Sequence, residues 1–415
     1  VSDGGHMPAA GIVRGTPAYR DFSIALLLAG FATFSLLYSV QPLLPLFTAE
    51  YGVTAEVASL AVSLATGPMA VALLAAGLLS DRLGRRGMMI GSLLAASVVT
   101  MISAVLPGWT TLLAMRVLTG VALAGIPAVA MAYIAEEVDP RSIGPAMGTY
   151  IAGTALGGMA GRLGVSVIAD FTGWRVAMAA DGAAALAAGL LFWRLAPLSR
   201  AFAPRRHDWR SFRDGLGRLR RDAALPWLYA TAFLVMGVFV TIYNYAGFRL
   251  TAPPYDLRGA AVGAIFLLYI LGSFSSTWFG GLADRLGRRR VIAAPVILLL
   301  GGALLTGATA LPLFVAGIAI VTVGFFGAHS IASSWVGRRS GGDRAQAAAF
   351  YLCFYYLGSS ILGSAGGFAW THGGWHGVVL FCGGLTVLAL LVAAKLATVR
   401  PLAINVPTPP PAPAG

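Results

Sequence analysis

Two ten-residue stretches of the chain carry the same charged pattern. Gly77–Arg86 reads GLLSDRLGRR and Gly280–Arg289 reads GGLADRLGRR. Each sets one carboxylate among three arginines. Asp81 stands with Arg82, Arg85 and Arg86, and Asp284 with Arg285, Arg288 and Arg289; Gly84 and Gly287 interrupt the charges. Such a carboxylate can meet the positive end of a helix dipole, a contact that breaks when two elements part. The arginines can pair with Glu136, Glu137 and Asp139 or with lipid phosphates. The plainer alternative is that basic loops only orient the chain. A second group is more isolated: Arg116, Arg162, Asp181 and His329 each lie inside a long apolar run. An ionisable side chain there is costly, and its default reading is functional. Asp181 can carry a proton, His329 can titrate in the working range, and Arg116 and Arg162 can be compensated by Asp181. The alternatives are an internal salt bridge and a packed histidine. Gln41, Asn244, Tyr38 and Tyr243 are the best candidates for substrate contact, with Tyr351 and Tyr355 lining the same space. Hydrogen-bond glue between helices, or an aromatic packing stripe, competes with that role.

Other chemistries are excluded. No Gly-x-x-x-x-Gly-Lys-Ser/Thr stretch exists, and Lys395 is the only lysine. No His-Glu-x-x-His occurs, and the five histidines are scattered. Cys353 and Cys382 are too few for a disulfide framework. No metal, cofactor or enzymatic activity is expected.

The elements that position these residues follow from composition. Apolar residues make up 58% and charged residues 11% of the 415, and mean hydropathy is +0.79. Soluble domains carry about a quarter charged residues. Twelve runs are long enough to cross a bilayer, at 22–47, 55–79, 88–106, 110–134, 143–169, 173–194, 224–250, 260–282, 290–310, 312–336, 345–370 and 374–396. We number them spans 1 to 12. The net charge of +13 suits a membrane surface better than nucleic acid. If the N-terminus is inside, 24 of the 29 basic residues fall in inside segments and only Arg175, Arg249 and Arg258 outside. The positive-inside rule therefore predicts a multi-pass membrane protein with both termini cytoplasmic. The first 21 residues lack the apolar stretch of a signal peptide. Residues 195–223 form a basic linker, where Trp209, Phe212, Leu216 and Leu219 at helical spacing suggest an amphipathic helix on anionic lipid; a solvated linker is the alternative. Residues 397–415 are a Pro-rich tail expected to be disordered.

The chain also repeats. The two charged stretches are 203 residues apart, as are Gln41 and Asn244, and Gly173-Trp174-Arg175 returns as Gly374-Trp375-His376. Residues 22–194 and 224–396 thus read as two six-helix bundles related by pseudo-symmetry. At roughly 1.5 Å per residue, Arg116, Arg162 and Asp181 all sit about 9–12 Å below the outer boundary of the first bundle, which predicts one shared polar cluster.

On these residues the chain resembles the major facilitator superfamily. The loop motif beginning at Gly77 is its signature, and "LLAMRVLTG" (112–120), with Arg116, resembles its fourth-helix motif. "GTYIAGTALGGMAG" (148–161) resembles the Gly-rich fifth-helix motif of its antiporters, without the usual proline. More narrowly, "YSVQPLLPLF", "YNYAGFRL" and "AHSIASSW" are similar to the YnfM-type branch of inner-membrane transporters. The resemblance implies an all-α membrane fold, gating by Asp81 against the start of span 11 near Arg344–Ala347, and proton coupling through Arg116. By repeat equivalence, Asp284 would face the start of span 5 near Ser142–Gly144. It also implies a monomer that exports small organic molecules against protons. An uptake symporter or exchanger for a small organic anion is the alternative. Span 1 carries no acid between Phe22 and Phe47, unlike many exporters of cations. Two arginines against one aspartate make the interior electropositive, which favours anions or zwitterions.

Overall fold

The computed structural model describes residues 11–199 and 209–400; of Leu78, Asp81 and residues 209–212 it describes only the backbone. The Pro-rich tail lies outside the described residues beyond Arg400. Helix dominates, and among the described residues the only β-type pairing is a single bridge between Ile12 and Val138.

Local sequence explains where the helices start, break and stop. Thr16 caps span 1 by accepting from the Tyr19 N–H at 3.2 Å, and Pro17 follows at the first helical position. Span 1 therefore begins at Pro17 rather than at 22. Its first segment, Pro17–Tyr38, ends ahead of Pro42 and Pro45, and the chain resumes as a helix at Leu44–Tyr51. Proline cannot donate to the carbonyl one turn earlier and collides with it, so a break is forced. Span 2 is Ala55–Leu83 and span 3 is Arg85–Val105; Gly84, at φ 86°, makes the sharp junction. Gly287, at φ 90°, does the same one repeat later. Both angles fall where only glycine is unstrained, which explains the glycine inside each charged motif. Span 4 comes in two pieces, Trp109–Leu123 and Pro127–Glu137. Spans 5 and 6 are Ile143–Thr172 and Trp174–Leu195. After the linker helix Trp209–Arg221 come span 7, Leu225–Thr251, and span 8, Gly259–Leu286.

Ten of the described helical stretches are long and apolar enough to cross a bilayer unaided. Two further crossings complete the twelve. Span 9 is split into Arg288–Val291 and Ala293–Leu305, each piece too short alone. The stretch Gly341–Thr398 is two spans, because Gly374 (φ 53°, ψ −145°) leaves the helical region. Span 10 is Leu311–Arg339. Span 11 runs from Arg344 through a π-turn at Gly358–Leu362, and span 12 lies beyond Gly374. Large apolar side chains point outward, such as Phe171 (81% exposed) and Leu380 (76%). In water they would form an adhesive surface; against lipid tails they cost nothing.

The tightest packing comes from glycines. A Cβ on Gly157 of span 5 would lie 2.0 Å from the Phe31 carbonyl oxygen of span 1, and one on Gly358 of span 11 would lie 2.1 Å from the Phe233 carbonyl oxygen of span 7. The approach at Gly157 is thus matched by one at Gly358, the corresponding place in the second half. Gly153 and Gly161, one turn either side of Gly157, press on Leu27 and Ser35. Gly157→Ala must push spans 1 and 5 apart, at a cost of about 1–3 kcal/mol. A thermal melt of the purified variant should show a clear fall in Tm; an unshifted melt would mean the contact is loose.

Candidate functional site

The loops between spans 2 and 3 and between spans 8 and 9 lie at one end, the arginine-rich end. Here Arg85 pairs with Glu136 at 2.9 Å and donates to Ser80. Arg86 turns elsewhere: its Nε donates to the Ala196 carbonyl at 2.8 Å and its Nη2 to the Trp193 carbonyl at 2.5 Å. Arg289 donates to the Val399 carbonyl at 2.9 Å. Arg86 and Arg289 therefore cap the C-termini of spans 6 and 12, where carbonyls are unpaired and the dipole is negative. These carbonyls take the place of the acids Glu136, Glu137 and Asp139 expected as partners for Arg86 and Arg289. Arg82 is exposed. The side chain of Asp81 lies outside the described residues, so its expected partner at the start of span 11 has no structural account. Asp284 is a second correction. It pairs with Arg288 at 2.6 Å and Arg338 at 3.2 Å, inside its own half, instead of facing Ser142–Gly144. Spans 5 and 8 meet near the other end, where Ser166 Oγ donates to the Gly259 carbonyl at 2.9 Å.

The linker helix is held by protein contacts. Leu219 is 3% exposed, and Arg218 pairs with Asp343 at 2.8 Å. Just after the helix, Asp222 accepts from Arg339 at 2.8 Å and from the N–H groups of Ala224 and Leu225 at 2.8 and 2.9 Å, so it caps span 7 as well. Burial alone would raise its pKa. The Arg339 hydrogen bonds, the two N–H groups and the Arg339 charge together hold it below the usual carboxylate range. A depressed folded pKa contributes stability that is present above the unfolded value, about 4, and lost as pH falls through the folded one. Asp222→Ala should lower Tm near neutral pH by removing a cap worth about 0.5–2 kcal/mol, and the gap from wild type should shrink in acid. Equal melts at both pH values would refute this.

Inside the bundle, the expected single cluster of Arg116, Arg162 and Asp181 is divided. Arg116, 1% exposed, is spent on backbone. Its Nε donates to the Ala61 carbonyl at 2.8 Å, Nη1 to Leu36 at 3.0 Å and Nη2 to Leu37 at 2.5 Å. The Leu36 and Leu37 carbonyls belong to the last turn before span 1 breaks, so they need an outside donor. Asp181 accepts from Ser35, with Ser39 alongside, and Arg116 is the cation whose charge it feels. No ion pair within 4 Å joins Asp181 to either arginine among the described residues. Arg162 lies on a different side of span 1. It donates from Nε to Gln41 Oε1 at 2.6 Å and from Nη1 to the Gly158 carbonyl. Gln41 in turn donates from Nε2 to Asn244 Oδ1 at 2.7 Å. The sequence did not show which side of its helix each of these residues faces.

The Gln41–Asn244 contact has a geometric meaning. Two residues in equivalent places of two repeats can touch only where the axis relating the repeats passes. These two are buried, at 1% and 0% exposure, on the seam between the halves. Other seam contacts are Tyr38 Oη with Ser359 Oγ at 3.4 Å, Ser63 Oγ with Ser364 Oγ at 2.6 Å, and Ser360 Oγ donating to the Ser63 carbonyl at 2.9 Å. Tyr243 is committed to its own half: Thr322 gives its proton to the Ile318 carbonyl, so Tyr243 donates to Thr322, at 2.8 Å. His329 is not alone. Tyr351 Oη lies 3.0 Å from its Nδ1, and the Tyr355 ring centroid is 4.9 Å from its own. Reading the sequence missed Phe266 and Tyr269 of span 8, whose rings lie 5.4 and 4.9 Å from the Arg162 guanidinium. Their only signal was aromatic character in an apolar run. Among the described residues no group of three His, Cys, Asp or Glu side chains could hold a metal ion.

Twelve apolar crossings, two halves with matched close approaches and a polar seam on their shared axis define a membrane transporter of the two-bundle kind. The sequence profile of the Major Facilitator Superfamily matches residues 26–274 and 251–414, and the chain belongs to that family. It is 42% identical over 396 residues to the uncharacterized MFS-type transporter YybF of Bacillus subtilis, covering 95% of this chain and 97% of that one. It is 43% identical over 385 residues to the inner membrane transport protein YnfM of Escherichia coli, covering 93% and 92%. Among solved structures, a bacterial homolog of the human lysosomal transporter Spinster, inward-facing and unoccupied, superposes with a TM-score of 0.74 at 14% identity, over 93% of this chain and 99% of that one. The nucleoside transporter NupG gives 0.74 at 15%, over 90% and 99%. These likenesses establish a multi-pass membrane transporter of this fold.

Proposed function

We propose that the chain exports small organic molecules across the bacterial inner membrane in exchange for protons. It acts as a monomer by alternating access, with the arginine-rich end and both termini in the cytoplasm. The observation that carries this reading is the Gln41–Asn244 hydrogen bond between repeat mates, at 2.7 Å. A seam on the pseudo-symmetry axis is where two rocking halves leave a site equally reachable from either side. Asp181, buried beside Arg116 and Ser35, is the proton carrier. The loop pairs Arg85–Glu136 and Asp284–Arg288 belong to the gate, as does Asp81. The orientation rests on the arginine asymmetry, and the membrane assignment on likeness to YnfM. Anionic lipid at the linker is left to Leu216 and the exposed arginines, since Leu219 packs inward.

Reconstituted vesicles with an imposed pH gradient test the reading, using labelled organic anions, zwitterions and cations. Export by exchange requires that an acidic interior drive uptake of at least one compound into inside-out protein and that the gradient collapse as it does. Flux indifferent to the gradient would remove proton exchange. One observation favours the second reading, uptake or exchange of an organic anion: Arg162 is buried with no acid within 4 Å among the described residues.

A further inference from the structure

Spans 1, 5 and 8 enclose a cation and give it aromatic faces instead of an acid. Arg162 is 2% exposed. Its guanidinium lies 4.5 Å from the Tyr38 ring, 4.9 Å from Tyr269 and 5.4 Å from Phe266. Nε and Nη1 are used on Gln41 and Gly158, while Nη2 donates to no described acceptor. The amides beside it have one consistent arrangement. Because Arg162 donates to the Gln41 oxygen, Gln41 must turn its nitrogen toward Asn244, whose oxygen accepts. Asn244 is then left with Nδ2 buried and without a partner. Every unspent hydrogen-bonding group in this row is a donor. An unpaired buried donor and a buried cation both carry a desolvation cost, and one kind of occupant relieves both: an anion with several acceptor oxygens. The ring faces around the guanidinium suit a planar apolar body attached to that anion. Ser166, one turn beyond Arg162 on span 5, borders a cleft of about 410 Å³ that is also walled by Pro42, Pro45, Asp170 and Arg258.

We propose that Arg162, Gln41 and Asn244 bind the carboxylate of the transported substrate, a small organic monoanion whose planar body lies among Tyr38, Phe266 and Tyr269. This assignment rests on the reading that the seam is the transport site, and it replaces proton coupling as the role of Arg162.

Benzoate, benzamide and benzylamine are the probes, read by thermal shift and by isothermal titration on detergent-purified full-length protein. Benzoate should bind and raise Tm, while its neutral and cationic counterparts should not. Arg162→Lys keeps the charge but loses the planar fork, so it should weaken benzoate about tenfold; Arg162→Gln should abolish binding. If Arg162→Gln does not fold, Asn244→Asp decides: a carboxylate placed against the row should remove benzoate binding. Equal response to all three probes, no response to benzoate, or undiminished binding by the variants would overturn the proposal. So would inorganic chloride or phosphate displacing benzoate at equal concentration, which would make the row a general anion site. Benzoate binding without proton-driven flux would sink proton exchange alone. Proton-driven flux of other compounds with no benzoate binding would sink this site alone.

Discussion

Arg116→Ala is expected to abolish transport and to lower Tm more than any other single replacement in the interior. The guanidinium serves three carbonyls on two spans: Leu36 and Leu37 on span 1 and Ala61 on span 2. Two of them are unpaired because Pro42 ends the first segment of span 1. With no water at hand, each abandoned carbonyl costs about 1–3 kcal/mol. Loss of these two, together with the added bond to the Ala61 carbonyl inside span 2, amounts to several kcal/mol, a large part of the stability of a folded domain. Arg116→Lys separates two roles for this residue. If only its charge matters to Asp181, lysine should support transport. If the three-way fan holds the break in span 1, lysine should fail too, because an ammonium cannot reproduce the planar spread of donors. The geometry predicts failure. Vesicle flux and melts of the two variants check it, and normal transport by Arg116→Ala would remove both roles.

Asp181→Asn is expected to leave a folded protein whose flux no longer follows pH. Asparagine keeps the size of the side chain and can still accept from Ser35, but it cannot take up or release a proton. Among the described residues Asp181 is the only acid found deep within a span on the Arg116 side, and Ser35 and Ser39 stand beside its carboxyl. An acid shut away from water inside a membrane span, with hydroxyls and a cation in reach, is the usual kind of proton relay. The measurement is initial flux against external pH for wild type and variant in the same vesicles. Wild type should rise or fall steeply across the range, and the variant should be flat. A superimposable profile would move the proton elsewhere, with the His329–Tyr351 pair, 3.0 Å apart, next in line.

The two arginines show how far reading the chain could go. By residue count Arg116 and Arg162 were expected at nearly the same depth, and both looked like partners for Asp181. In the fold, one feeds the broken end of span 1 and the other joins Gln41 and the span 8 rings. Depth is counted in residues, but the direction a side chain faces turns about 100° with each one, so an uncertainty of two residues at a helix end erases it. The charged loops divide in the same way. Their duplicated spelling made the internal symmetry plain, whereas the use of Arg86 and Arg289 as helix caps depends on where spans 6 and 12 happen to finish.

Length of apolar runs, glycine and proline punctuation and the doubled motif determined by themselves that this is a twelve-span, two-half membrane protein. Each is a local property: the bilayer demands a fixed length of apolar helix, proline and glycine act on their own turn, and a repeat is visible wherever it is spelled twice. The tertiary structure alone decided which buried charges meet. Partners such as Gln41 with Asn244, or Arg162 with Tyr269, are far apart in the chain, and only the rotation and close glycine-mediated approach of whole helices bring them within reach.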